Sequence, residues 1–122
     1  MTKFEKLNEI VKKLRSPDGC DWDKEQTHES LMPYLLEEVY EVIEAIENKD
    51  FDLLKEELGD LLLHIVFQAD LAKDENKFSI EDSIDFVNKK LISRHPHIFD
   101  NKKNHSWKKG NWEFEKQKEK KR

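Results

Sequence analysis

Phe4, Leu7, Ile10, Val11 and Leu14 recur at three- and four-residue intervals, which puts them on one face of a helix over residues 3–14. Ser16-Pro17-Asp18-Gly19 ends that pattern with turn-forming residues. Residues 17–26 read as a loop containing Trp22, and Thr27 reads as an N-cap, with Ser30 three positions on where a capping box would have Glu. From 28 to 47 a second helix carries the stripe Leu31, Leu35, Val39, Val42 and Ile46. The connection Asn48-Lys49-Asp50 is so short that a third helix, 52–73, must return antiparallel against the second. Ser79 caps a fourth helix over 80–94, which ends before His95-Pro96. Irregular chain is expected over 101–110, then a short helix from about Trp112. The pattern predicts an all-α protein of four helices plus a short C-terminal one.

The third helix differs from the others. Between Leu58 and Ala72 it is apolar nearly all round, as expected of a helix covered on every side, so it should be central. A chain of 122 residues can hardly cover such a helix on all sides, so a homodimer is expected.

Composition narrows the picture. Charged residues are 40% and hydrophobic residues 36% of the chain, enough for one core but not for a membrane span, and the longest apolar run is broken at His64. Three Gly and three Pro leave little material for turns, which favours a few long helices. One cysteine, Cys20, excludes an internal disulfide, and the first fourteen residues lack the apolar stretch of a signal peptide, so cytoplasmic residence is expected. Residues 1–100 carry 13 basic and 24 acidic side chains, whereas 101–122 carry 9 and 3. An acidic body argues against nucleic acid as the main partner, and residues 116–122 read as a solvated basic tail after a single domain over 1–115.

Acids stand where helix burial would not put them. At ~100° per residue, Glu38 falls on the edge of the apolar stripe of the second helix, with Glu41 a step farther out and Glu37 beyond it. On the third helix Glu57, Asp60 and His64 form a line on an otherwise apolar surface. Glu37-Glu38-x-x-Glu41 and Glu57-x-x-Asp60 thus offer two oxygen donors per helix at i,i+3 spacing. Carboxylates without cysteine suit Mg²⁺ or Mn²⁺ better than zinc, and such ions hold phosphates. An ion-pair lattice with Lys49, Lys55 or Arg94 is the competing structural account. His64 is read as a hydrogen-bonded core residue and left out of the site.

At these residues the chain resembles the MazG family of nucleoside triphosphate pyrophosphohydrolases. Gly19-Cys20-Asp21-Trp22-Asp23 through Gln26-Thr27-His28 is similar to the family's GCPWD-x-x-QTH loop, with Asp21 where proline is usual. Glu37, Glu38 and Glu41 match its EExxE element, and Glu57 and Asp60 its ExxD element within EELGDLL. Lys90 through Phe99 resembles KLIRRHPHVF with Ser93 replacing an arginine, and Asn111-Trp112-Glu113 matches a late NWE. Five elements in order, over about residues 4–115, are a specific signal where EExxE alone is weak.

The resemblance implies a MazG-like helical bundle, dimeric, that hydrolyses nucleoside triphosphates to monophosphate and pyrophosphate with Mg²⁺, for which Mn²⁺ can substitute. It implies Glu38, Glu41, Glu57 and Asp60 as metal ligands, with Glu37 as the base or as a partner of a ligand. Lys90 and Arg94 would face the phosphates, although by themselves they read equally as a solvated basic face. Trp112 would stack on the base, and Trp22 either covers the site or packs in the core. Nucleotide-pool housekeeping is the expected role, on common or damaged nucleotides. A non-catalytic helical protein using its acids for a metal or a basic partner is the alternative from another class.

Overall fold

The computed structural model describes residues 1–100, all of it helix, turn or coil. The helices are α1 (Lys3–Leu14), α2 (Asp21–Glu25), α3 (Met32–Glu47), α4 (Phe51–Asp74), α5 (Ile80–Arg94) and α6 (Pro96–Phe99). Contacts divide the chain into two units, residues 1–80 and the chain from 81 on. No described helix is long and apolar enough to cross a membrane.

The expected boundaries of the first, third and fourth long helices hold to within a residue. Each end has a local cause. Thr2 and Glu5 form a capping box at the start of α1, with Glu5 N–H donating to Thr2 Oγ1 at 3.0 Å and Thr2 N–H to Glu5 Oε1 at 3.2 Å. Asp50 caps α4 by accepting from Leu53 N–H at 3.1 Å. Between α3 and α4, Lys49 adopts a left-handed φ of 53°, and Asp50 N–H reaches back to Ala45 O at 3.1 Å, closing α3 tightly enough for α4 to fold back on it.

Two expectations are corrected. The loop over 17–26 contains the short helix α2, and the helix expected from residue 28 begins at Met32. Pro33 explains the second difference: it has no N–H to give Glu29 O, and Met32 N–H takes that carbonyl at 3.1 Å in a tighter turn. Thr27 is therefore not the N-cap of α3, a place taken by Leu31 without a side-chain bond; it closes the preceding turn, exchanging bonds with Ser30 at 2.8 and 3.0 Å.

The core of the first unit is Val11, Leu31, Val66, Phe67 and Leu71, with Phe4, Leu7 and Leu63 packed against it. It joins α1, the entry to α3 and the second half of α4. α4 packs against both α3 and α1, which is the central place its apolar surface requires. Covering is incomplete within one chain, since Leu58 is 48% and Ile65 46% exposed. Gly19 lies under the end of α1, where a Cβ would come within 2.1 Å of Leu14 O. The missing side chain lets Cys20 N–H bond that carbonyl at 2.8 Å, and the chain passes directly into α2.

Candidate metal centre

The α3–α4 hairpin sets the height of each acid. Glu41 lies seven residues before Asn48 and Glu57 seven after Asp50, so both stand about 10 Å from the turn at 1.5 Å per residue. One turn farther out, Glu38 stands level with Asp60. A three-residue connection therefore suffices to align carboxylates 16 positions apart in sequence. Oxygens of Glu38, Glu41 and Glu57 all lie within 4.8 Å of one another. Asp60 is half-buried and outside that trio, yet its charge acts on Glu38 and on His64. Glu37 is exposed and also outside the trio.

Crowding and burial decide the charge state. Glu57 is 7% exposed. Its carboxyl is pushed up to about 8, first by the hydrogen bond to Glu41, then by burial and the bond to Glu38. Glu38 is also raised, mainly by burial and further by the charges of Glu41 and Asp60, while its bond with Glu57 pulls the other way. A proton on Glu57 thus lies between its neighbours and relieves their repulsion. Even so, Glu38 Oε2 and Glu57 Oε2 are buried with no hydrogen-bond partner. Buried carboxylate oxygens left this way are costly. A hard divalent cation meets the requirement: it binds oxygen, neutralises the repulsion and satisfies both orphaned atoms. The donor set fits Mg²⁺ or Mn²⁺, and among the described residues neither Lys49 nor Lys55 forms a salt bridge with these acids.

His64 is half-buried rather than part of the core, and burial lowers its pKa against the opposing charge of Asp60. Trp22, on α2, is half exposed and meets Tyr34 edge-on, with ring centroids 5.9 Å apart and planes at 83°. It does not join the apolar core. Tyr34 was not singled out from the sequence, although it stands one turn before Glu38 on α3. Lys90 and Arg94 lie on α5, in the second unit. The Lys90 ammonium sits 4.9 Å from the centre of the Phe86 ring, and Arg94 is buried. Trp112 lies outside the described residues.

Other polar residues that sequence reasoning passed over are Arg15, His28, Gln68 and Asp70. Asp70 and Gln68 interrupt the apolar run of α4, the same signal that marked Glu57 and Asp60, but their partners come from distant segments.

Comparison with known proteins adds the following. The family model of the MazG nucleotide pyrophosphohydrolase domain matches residues 26–99. The nucleoside triphosphate pyrophosphohydrolase/pyrophosphatase MazG of Thermotoga maritima is 56% identical over 117 residues, 96% of this chain and 45% of that protein. The nucleoside triphosphate pyrophosphohydrolase of Escherichia coli K12 is 48% identical over 100 residues, 81% of this chain and 38% of that protein. This chain therefore spans less than half the length of these curated relatives. A crystal structure of a mazG-related protein from Thermotoga maritima superimposes with a TM-score of 0.74 at 30% identity, covering 97% of this chain and 99% of that one.

Proposed function

The chain belongs to the MazG nucleotide pyrophosphohydrolase family, and from that premise we propose that it hydrolyses nucleoside triphosphates to monophosphate and pyrophosphate with the help of Mg²⁺. The observation that carries this reading is the buried trio Glu38, Glu41 and Glu57 with two orphaned oxygens. Glu38, Glu41, Glu57 and Asp60 would hold the metal, which supplies neutralisation of phosphate oxygens and a more acidic water.

The remaining chemistry falls to the chain's own side chains. The oxygen of water bonds to the α-phosphorus, the bond from that phosphorus to the bridging oxygen breaks, and pyrophosphate leaves with the electron pair. Glu37, exposed beside the trio in sequence and free of its crowding, is assigned to accept the water proton. Lys90 and Arg94 are assigned to the phosphates, where cations offset charge building on the leaving group. Trp112 is assigned to the base by stacking, a contact tolerant of base identity, and Trp22 to covering the site beside the substrate. The family resemblance supports these last assignments.

We further propose that the chain acts as a homodimer. Leu36, Tyr40 and Ile43 on α3 and Leu58, Leu62 and Ile65 on α4 leave apolar surface exposed beside the carboxylates, and a second copy would cover it. Cytoplasmic residence and a housekeeping role in the nucleotide pool are part of the same reading, in keeping with the exposed free thiol of Cys20. Residues 1–115 are taken as the catalytic domain and 116–122 as a basic tail.

The test is product analysis. Incubation with each common nucleoside triphosphate and Mg²⁺ should give monophosphate and pyrophosphate with no diphosphate, and hydrolysis in ¹⁸O-water should label the monophosphate. Diphosphate with free phosphate would place attack at the γ-phosphorus and refute the assignment. Absence of turnover across the panel would favour the binding-protein alternative.

A further inference from the structure

Away from the carboxylates, one histidine ties the segment leading into α3 onto α4. The His28 side chain is 33% exposed. Its Nδ1 lies 2.5 Å from Gln68 Oε1, and Gln68 Nε2 donates to the main-chain carbonyl of His28 at 3.2 Å. A carbonyl only accepts, so that second bond fixes the direction of the Gln68 amide: Oε1 faces the ring, and Nδ1 must carry a hydrogen. The other ring nitrogen, Nε2, faces Glu75 Oε1 at 3.4 Å. An acceptor therefore stands at each nitrogen. A neutral imidazole with its hydrogen on Nδ1 turns a lone pair toward the Glu75 carboxylate, whereas the imidazolium donates on both sides.

The groups facing the ring agree in sign. α4 and its cap supply neutral Gln68 and the Glu75 carboxylate, and the histidine's own segment supplies Glu29. The Gln68 bond is the largest influence and raises the pKa above its ordinary 6.5; burial, next in size, opposes it, and Glu75 and Glu29 add smaller upward contributions. Glu75 is also the C-cap of α4, where the negative end of the helix dipole favours a cation.

The tie extends beyond His28. Thr27 and Ser30, on either side of it, exchange backbone and side-chain bonds. Ser30 Oγ donates to Gln26 Oε1 at 2.8 Å, and Gln26 Nε2 donates to the Trp22 carbonyl at 2.9 Å. The backbone at His28 thus connects the Gln68 grip to a hydrogen-bonded turn that ends on the main-chain carbonyl of Trp22, the residue whose ring meets Tyr34.

We infer that protonated His28 is a positioning residue: held by Gln68 and Glu75, it locks the Gln26–Ser30 turn onto α4 and so sets the Trp22 ring for substrate, and loss of its proton slackens the lock. The substrate half of this inference rests on the role of Trp22 in the proposed reaction. A histidine whose pKa is higher folded than unfolded contributes its stability in full below 6.5 and loses it as pH rises through the folded value. The lock is therefore tight in mild acid and slack in alkali.

The full chain allows two independent readouts. In NMR pH titrations, the His28 ring signal, identified by its loss in His28→Asn, should show a midpoint above 6.5, and the Trp22 indole N–H, identified by its loss in Trp22→Phe, should move with the same midpoint. Glu75→Gln, at an exposed position, should lower both midpoints together, and Gln68→Leu should uncouple the two signals. In steady-state assays KM should rise up to about tenfold across that midpoint, within the worth of a base–aromatic contact, while kcat changes less, and Glu75→Gln should move the KM profile to lower pH. A Trp22 signal that ignores the His28 midpoint, a midpoint unchanged in Glu75→Gln, or a KM that is flat while the two signals stay coupled would each overturn the inference. Coupled signals in a protein that turns over no nucleotide would sustain the lock and count against the pyrophosphohydrolase reading instead.

Discussion

Glu41 shows how much one carboxylate decides. Its bond is the largest influence on Glu57, and it is one of three oxygens gathered within 4.8 Å. Glu41→Gln should leave the helical circular dichroism unchanged, because the amide matches the acid in size and α3 does not depend on its charge. Turnover should fall on the order of 10²–10³-fold, the scale of losing one preorganised electrostatic group. The same residue should report on metal without catalysis. Ligand bound to the folded state alone at a hundredfold excess over Kd stabilises by about 2.7 kcal/mol, so Mg²⁺ or Mn²⁺ should raise the wild-type Tm by several degrees and raise that of Glu41→Gln less. Equal responses in differential scanning fluorimetry would remove Glu41 from the metal centre.

Among the elements, α1 and α4 are joined by more than apolar contact. Arg15, just past α1, reaches Asp70 and Asp74 on α4 and lies with its guanidinium carbon 5.6 Å from the centre of the Phe67 ring. Asp70 is buried, whereas the Asp74 side chain is 63% exposed, so one guanidinium makes a buried and a solvated pair. The two should differ sharply. Removing one partner of a buried pair costs about 3–5 kcal/mol, while exposed pairs are worth about 1 kcal/mol or less. Asp70→Ala should therefore cost about 3 kcal/mol in urea unfolding and Asp74→Ala less than about 1 kcal/mol. Similar losses from both would show that water reaches the Asp70 side freely.

For the molecule as a whole, the balance of covered and exposed apolar surface points outward from α3 and α4. Tyr40 is 63% and Leu36 57% exposed, proportions unusual for large apolar side chains on a helix whose other face is packed. If a second copy covers them, a charge placed there faces burial without a partner. Ile43→Asp and Leu62→Asp should each shift the sedimentation coefficient to that of a 14.7 kDa monomer, and the monomer should lose stability and activity together. A wild-type chain that already sediments as a monomer would refute the dimer.

Sequence by itself determined what depends on neighbours along the chain. The period of Phe4 to Leu14 gave α1 its face, Asp50 and the short turn fixed the antiparallel return of α4, and equal spacing from that turn brought Glu41 opposite Glu57. These follow from helix geometry once the hairpin is granted. The late start of α3 is also a local matter, since Pro33 has no N–H for the preceding turn and so belongs in the first turn of the helix. Tertiary structure alone decided the rest. No local pattern pairs Asp70 with Arg15 or Gln68 with His28, because each partner is brought from 55 or 40 residues away by the packing of α1 and the α3 entry on α4. Nor could spacing state that Glu57 is buried and holds a proton near neutral pH while Glu37, on the neighbouring helix, stays in water. Burial and the charges across a helix pair are properties of the assembled fold, and they turn an acidic pattern into a crowded carboxylate site whose donors fit a hard cation.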